Sequence, residues 1–295
     1  MNTDTILLPT PPYDFARSFS YMERRIDPIA RWDGEVFTRL WPLGDRDVPL
    51  QLRSAGTVDH PRVILSVLDD VSDDDRLALA ASVTRAFSLD LDLNAFHAGL
   101  RHDAVLDALA QRNRGLKPAR EPNLFEALAW AIIGQQIHLL YACQIKAGML
   151  ERYGGRVAVG EEWLYRHPRP ADLVHADPQD WRAFKCSRRK AEYVIGLARE
   201  VANGFDLESL ADLPDEEIIA RLTRLRGLGR WTAEYTLVRG LGRWNALPAT
   251  DAGLVGGIRR AYGLQHRPTT GEIEALAEAW RPWRGLATYY LWWAK

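Results

Sequence analysis

Between Leu225 and Asp251 the chain sets two Gly-x-Gly turns, Gly227-Leu228-Gly229 and Gly240-Leu241-Gly242, together with Arg226, Arg230, Trp231 and a late carboxylate, Asp251. Glycine lets one backbone come close to another because no Cβ stands between them. Free N–H groups at the start of the helix that follows such a turn are a ready phosphate site. The same glycines serve equally as a plain structural turn, and spacing does not choose between the two. A dinucleotide-binding turn fits poorly, because the third glycine is missing and the turn follows a helical pattern instead of a strand. Asp251 also has two readings: an N-cap for a helix entering at Leu254-Val255, or an active-site acid.

Other reactive residue types are sparse. Cys143 and Cys186 are too few for a four-cysteine iron–sulfur or zinc site, or for a disulfide framework, and fit reduced thiols in a cytosolic protein. The seven histidines show no metal-ligand spacing such as His-x-x-x-His. Lys185-Cys186-Ser187-Arg188-Arg189-Lys190 is the densest basic run and reads as a solvated helix face, with neighbouring cations expected to lower the Cys186 thiol pKa.

Charge is distributed unevenly. Residues 1–110 carry 11 Lys+Arg against 18 Asp+Glu, and residues 111–295 carry 27 against 21, so an acidic part precedes a basic one. That is a weak pointer to an anionic partner for the second part. No run approaches the roughly 18 apolar residues of a membrane helix, and Met1 to Phe15 lacks the basic start and apolar stretch of a signal peptide. A cytoplasmic protein is expected.

The elements that must position these residues divide at about residue 92. Val36-Phe37-Thr38-Arg39-Leu40-Trp41 and Arg62-Val63-Ile64-Leu65-Ser66-Val67-Leu68 have strand composition and are expected to pair in one antiparallel sheet. Asp73-Asp74-Asp75 opens a helix whose Leu79, Val83 and Phe87 cover that sheet. From about Leu93 the strand signal fades and amphipathic helices dominate. Pro122 to Ile145 reads as helix interrupted at Gly134-Gln135-Gln136, and Pro214-Asp215-Glu216-Glu217 opens another helix. Ile218, Ile219, Leu222 and Leu225 mark the buried face of this helix, Gly227-Leu228-Gly229 ends it, and a second helix starts at Arg230, which makes a helix–hairpin–helix over about 214–241. The expected fold is mainly α with an α+β N-terminal domain over 1–92 and a two-part helical region over 93–295.

Leu225-Arg226-Gly227-Leu228-Gly229-Arg230-Trp231-Thr232-Ala233, followed by Leu247-Pro248-Ala249-Thr250-Asp251, resembles the hairpin and acid of the helix–hairpin–helix DNA glycosylases, in the 3-methyladenine DNA glycosylase II (AlkA) branch. Ala131-Ile132-Ile133-Gly134-Gln135-Gln136-Ile137, Arg188-Arg189-Lys190-Ala191, Arg281-Pro282-Trp283-Arg284 and Pro12-Tyr13-Asp14-Phe15 resemble other blocks of that branch, in order along nearly the whole chain. The resemblance implies a monofunctional DNA glycosylase of base excision repair, excising alkylated bases of the 3-methyladenine type by base flipping and acid-assisted hydrolysis. A glycosylase for another lesion class and a non-catalytic damaged-DNA-binding protein are the alternatives.

Carried over by position, Asp251 is the catalytic carboxylate, and Trp231, Tyr235 and Trp292 line the base pocket. A base alkylated at N3 or N7 is already a cationic leaving group, so one carboxylate suffices where ordinary glycosidases use two. Relatives that also cut the backbone have lysine where this chain has Trp231, because a Schiff base needs an amine. The chain has only five lysines, and no lyase activity is expected. Gln136 stands at the turn from which the family inserts a side chain into the gap left by the flipped base; a buried amide at a helix break is the other reading. Gly227, Gly229 and Arg230 surround the hairpin amides that would meet a phosphate. The resemblance further implies a monovalent cation, Na+ or K+, on the main-chain carbonyls of Thr223, Leu225 and Leu228, and no iron–sulfur cluster or other catalytic cofactor. The expected setting is a cytoplasmic, nucleoid-associated monomer acting on double-stranded DNA that contains damaged bases, with no membrane partner.

Overall fold

The computed structural model describes residues 4–24, 28–160 and 162–294. Strands β1 (Thr5–Leu7), β2 (Ala30–Trp32), β3 (Val36–Leu43), β4 (Arg46–Ser54) and β5 (Val63–Val67) form one antiparallel sheet in the order β1-β5-β4-β3-β2. The two segments expected to be strands are β3 and β5, but they do not pair with each other. β4 lies between them, with Val36 opposite Arg53 on one side and Leu50 opposite Val67 on the other. Alternation turns Phe37, Leu50, Leu52 and Leu65 into one core. Helix α1 (Phe15–Phe19) adds Phe15 and Phe19 to that core, and α2 (Asp73–Ala86), capped by Ser72, adds Leu79 and Val83. Each such side chain removed from water contributes about 1.5–3 kcal/mol.

The rest is chiefly helical: α3 (Leu93–Gly99), α4 (Ala104–Arg112), α5 (Leu124–Gly134), α6 (Leu139–Tyr153), α7 (Pro170–Leu173), α8 (Arg188–Ala202), α9 (Asp215–Leu222), α10 (Arg230–Thr236), α11 (Ala252–Ala261), α12 (Thr270–Glu278) and α13 (Arg284–Trp292). One correction concerns the fading of the strand signal after Leu93: β6 (Arg156–Val159) and β7 (Glu162–Tyr165) form a separate two-stranded antiparallel sheet. Exposed Val157 and Trp163 show why it was missed, since buried Leu164 pairs with exposed Val157 and neither face carries a clean alternation.

Two further cores organise the helices. Leu128, Ile132, Met149, Val194, Ile218, Leu222 and Ala233 join α5, α6, α8, α9 and α10. Leu93, Phe96 and Leu106 of α3 and α4 pack instead with Leu254, Ile258, Tyr290 and Leu291 of α11 and α13. The chain thus crosses from the first helical core to the second between Ala246 and Ala249, immediately before Asp251. The sheet is tied to the helices by buried polar contacts. Arg39 of β3 pairs with Glu126 of α5 and lies 3.6 Å from Glu121. The Lys117 amine donates to the Thr10 and Leu89 carbonyls, both at 2.7 Å, and burial pushes its pKa down to about 8.

Candidate active site

The hairpin forms as the spacing predicts. Helix α9 carries Asp215, Glu216 and Glu217 in its first turn and ends at Leu222; the chain turns over 223–229, and α10 begins at Arg230 with Gly229 as its cap. Gly227 has φ +92°, and a Cβ there would lie 2.2 Å from the Tyr193 ring of α8, so only glycine fits. Gly229 differs, with φ −90° and open space where a Cβ would stand.

At the interruption after α5 the two glutamines take different roles. Gln135 donates its Nε2 to the Gly227 carbonyl at 2.9 Å and to Thr232 Oγ1 at 3.1 Å, pinning the hairpin to the end of α5. Gln136 is exposed, has φ +56° and lines the cleft. Gln135, half-buried, is the amide that satisfies the break, and Gln136 stands exposed at a strained turn instead of buried as the alternative reading had it.

The basic run at 185–190 is not a uniformly solvated face. Lys190 turns inward and donates to the carbonyls of Ile133 at 2.6 Å and Gln135 at 2.7 Å, satisfying acceptors left over at the C-terminus of α5. Cys186 also departs from expectation: burial pushes its thiol up to about 11, outweighing the attraction of Lys190.

Asp251 is the N-cap of α11, with Oδ1 accepting the Leu254 N–H at 2.7 Å. It also receives two indole N–H bonds, from Trp292 on Oδ1 at 2.8 Å and from Trp231 on Oδ2 at 3.0 Å. The side chain sits in the cleft wall with only 8% of the residue exposed, so one carboxyl both caps α11 and faces the cleft. Close helix packing makes this arrangement possible. A Cβ on Gly253 would fall 2.9 Å from both Asp251 Oδ1 and Trp292 Cδ1, and one on Gly257 would fall 2.3 Å from the Leu291 carbonyl oxygen of α13.

Around the acid stands a cluster of rings. Trp231 and Tyr235 lie 5.4 Å apart at 35°, and Tyr235 and Trp292 lie 5.8 Å apart at 38°. The Tyr235 hydroxyl accepts from the Trp130 indole at 3.1 Å, which fixes its tilt. Tyr289 meets Trp292 edge-on at 6.0 Å. These faces can hold a flat, electron-poor ring by stacking and by cation–π attraction.

A cleft of about 1390 Å³ gathers all but one of the expected residues: Asp251, Trp231, Tyr235, Trp292, Gln136, Gly227, Gly229, Thr223, Leu225 and Leu228 all line it. Arg230 does not; its guanidinium faces outward and pairs with Glu234 at 2.7 Å and Glu216 at 3.5 Å. Thr223, Leu225 and Leu228 offer neutral carbonyl oxygens, a donor set that suits a hard cation of low charge, although the Leu225 carbonyl also accepts the Leu228 N–H at 3.1 Å. Trp130 and Arg239 line the cleft without having been singled out in the sequence, and Tyr289 lines it as well. The signal for Arg239 was its place four residues after Tyr235 and eight after Trp231 on one helical face.

The chain is similar to known proteins along most of its length. A family model described as HhH-GPD superfamily base excision DNA repair protein matches residues 129–282. A DNA-3-methyladenine glycosylase of Bacillus subtilis (strain 168) is 28% identical over 295 residues, 98% of this chain and 96% of that protein. DNA-3-methyladenine glycosylase 2 of Escherichia coli (strain K12) is 30% identical over 196 residues, 65% of each. The solved 3-methyladenine DNA-glycosylase from Archaeoglobus fulgidus superposes with a TM-score of 0.87 at 23% identity, over 98% of this chain and 97% of that one, a likeness of fold. The Schizosaccharomyces pombe 3-methyladenine DNA glycosylase Mag1, solved with abasic DNA, gives 0.58 at 26% identity over 67% of this chain and 95% of its own.

Proposed function

Because the chain belongs to the HhH-GPD superfamily of base excision DNA repair proteins, in its AlkA branch, we propose that it is a DNA glycosylase that removes alkylated bases of the 3-methyladenine type from double-stranded DNA. The observation that carries this reading is the buried Asp251 carboxylate, held at 2.8 and 3.0 Å by two indole N–H groups in an aromatic cleft. A flipped base stacks among Trp231, Tyr235 and Trp292, which brings C1′ of its sugar to the acid. As the glycosidic bond breaks, its electron pair leaves with the cationic base, which departs neutral, and positive charge builds on the sugar. Asp251 stabilises that charge and orients the water whose oxygen bonds to C1′; the water's proton passes to the carboxylate or to solvent.

Trp231 supports hydrolysis without strand cleavage. Its indole nitrogen is committed to Asp251 and cannot form an imine with the sugar. Gln136, exposed at its positive-φ turn, is the side chain assigned to the gap left by the flipped base. The amides around Gly227 and Gly229 are assigned to a DNA phosphate, and the carbonyls of Thr223, Leu225 and Leu228 to a Na+ or K+ ion that would add positive charge beside it. The test is incubation of the purified protein with methylated duplex DNA and chromatography of the released bases. Release of 3-methyladenine, leaving uncut abasic strands, is the expected result; absence of any released base refutes the reading.

A further inference from the structure

Among the described residues only one stretch leaves three consecutive large apolar side chains in solvent: Leu139, Leu140 and Tyr141, exposed by 45, 57 and 37%. They form the first turn of α6, and the core does not use them there, because the face of α6 that enters it begins at Ala142 and Cys143. The helix start gains nothing from local chemistry either: His138 caps it without a side-chain bond, and no acid stands in the first turn. The turn is nonetheless held in place, since the Tyr141 hydroxyl donates to the Lys185 carbonyl at 2.6 Å, just ahead of α8. Contiguous apolar surface exposed in this way marks a contact site.

Its neighbours say what covers it. Leu139 lines the same cleft as Gln136, Asp251 and the hairpin, three residues beyond Gln136 on the segment that leads from α5 into α6. Three residues span at most about 10 Å, or roughly three base steps of a duplex, so both side chains reach one stretch of DNA. Charge favours the same occupant. The four helices that begin at the cleft, α6, α8, α10 and α11, have no acidic residue in the first turn, and exposed Arg189, Arg224 and Arg226 line the cleft beside them. An apolar side chain pressed between base steps unstacks them and kinks the duplex. Beside the gap left by a flipped base this costs least, because one stacking partner has already gone. On the reading that the chain is a glycosylase, we propose that Leu139 is a second wedge, which enters the duplex beside Gln136 and packs on the base left without its partner. Gln136 then fills the gap, Leu139 holds the neighbouring stack open, and Leu140 lies against the adjoining groove wall.

The test uses a duplex in which a tetrahydrofuran abasic analogue stands opposite 2-aminopurine, a base whose fluorescence rises when it is unstacked. Affinity and fluorescence are measured for the wild type, for Leu139→Ala, for Leu139→Met, which keeps the apolar bulk, and for Leu77→Ala, a change at an exposed leucine of α2 that does not line the cleft. Leu139→Ala should bind this duplex about tenfold more weakly and lose most of the fluorescence rise, while its melting and its binding to undamaged duplex stay as in the wild type. Leu139→Met and Leu77→Ala should behave as the wild type. Full affinity and fluorescence in Leu139→Ala overturns the inference and leaves the patch to a protein partner. An equal loss on damaged and undamaged duplex overturns it too, because the turn would then be a general groove contact. Base release from methylated duplex separates the two readings: no release by the wild type overturns the glycosylase reading and the inference with it, whereas release by a wild type whose fluorescence signal Leu139→Ala reproduces sinks the inference alone.

Discussion

Replacing Asp251 by asparagine separates the two roles that converge on this side chain. Oδ1 takes two bonds, from the Leu254 amide at 2.7 Å and the Trp292 indole at 2.8 Å, and Oδ2 takes one, from Trp231 at 3.0 Å. Asparagine keeps its oxygen on the side with two donors, which preserves the cap of α11. Its amide nitrogen then faces the Trp231 N–H, and a buried donor loses its acceptor at a cost of about 1–3 kcal/mol. For a chain of this size that corresponds to a fall in Tm of about 2 °C per kcal/mol. Chemistry suffers more, because the charge facing the developing cation is gone; base release should fall about 10³-fold. Alanine removes the cap as well and should cost about 1 kcal/mol further with no greater catalytic loss. The assay is single-turnover base release from methylated duplex beside thermal melting. Release by Asp251→Asn within about tenfold of wild type, or a catalytic deficit that tracks the stability deficit across the two variants, would refute the assignment.

Three other outcomes follow from the geometry. Gly227→Ala should destabilise the protein by about 2 kcal/mol or more and weaken DNA binding, because it meets both a positive φ and the Tyr193 ring, whereas Gly229→Ala should be nearly neutral in melting; equal effects would sink the account of the turn. Arg39→Leu leaves Glu121 and Glu126 buried without their cation and should lower stability by about 3–5 kcal/mol in urea unfolding, a loss under about 1 kcal/mol being the contrary result. Burial holds His167 below the usual histidine range, with the ring Nδ1 donating to the Pro168 carbonyl at 2.8 Å. Between that depressed value and about 6.5 the unfolded chain binds the extra proton, so stability is present above about pH 6.5 and is lost as pH falls through the window. His167→Gln should flatten that part of the melting profile, and an unchanged slope would remove His167 as its source.

What could be read in the residues depended on how local the signal was. The α9–α10 hairpin was legible because Pro214 with its acids, the apolar face and Gly227 all lie within one span, and the cap at Asp251 needed only Leu254 three residues on. The central strand β4 was not, because Pro49 stands in its middle and lacks an N–H, although its carbonyl still accepts from Leu68 at 2.8 Å. Lys190 looked like one more surface cation. Its partners at Ile133 and Gln135 are more than fifty residues away, and only the packing of α8 on the end of α5 brings them together. The same holds for the two glutamines, whose opposite directions are set by the positive φ of Gln136 and by the hairpin opposite it. Arg239 was hidden differently: its spacing was visible, but nothing local says that the helix opens into a wider turn there.

Gly257 bears on how such a protein can be engineered. Swapping glycine for alanine inside helices is a standard way to stiffen a chain, ordinarily gaining about 0.5–1 kcal/mol. Here α11 and α13 touch backbone to backbone, and a methyl group at Gly257 would stand 2.3 Å from the Leu291 oxygen. Relieving that overlap moves the last turn of α13 outward by about 1 Å, and Trp292 is the very next residue. The indole would be drawn off Asp251 by a substitution that touches neither the DNA nor the acid. Thermostabilisation of this helix is therefore bounded by the seating of Trp292 against Asp251, and helical propensity is the wrong guide to it.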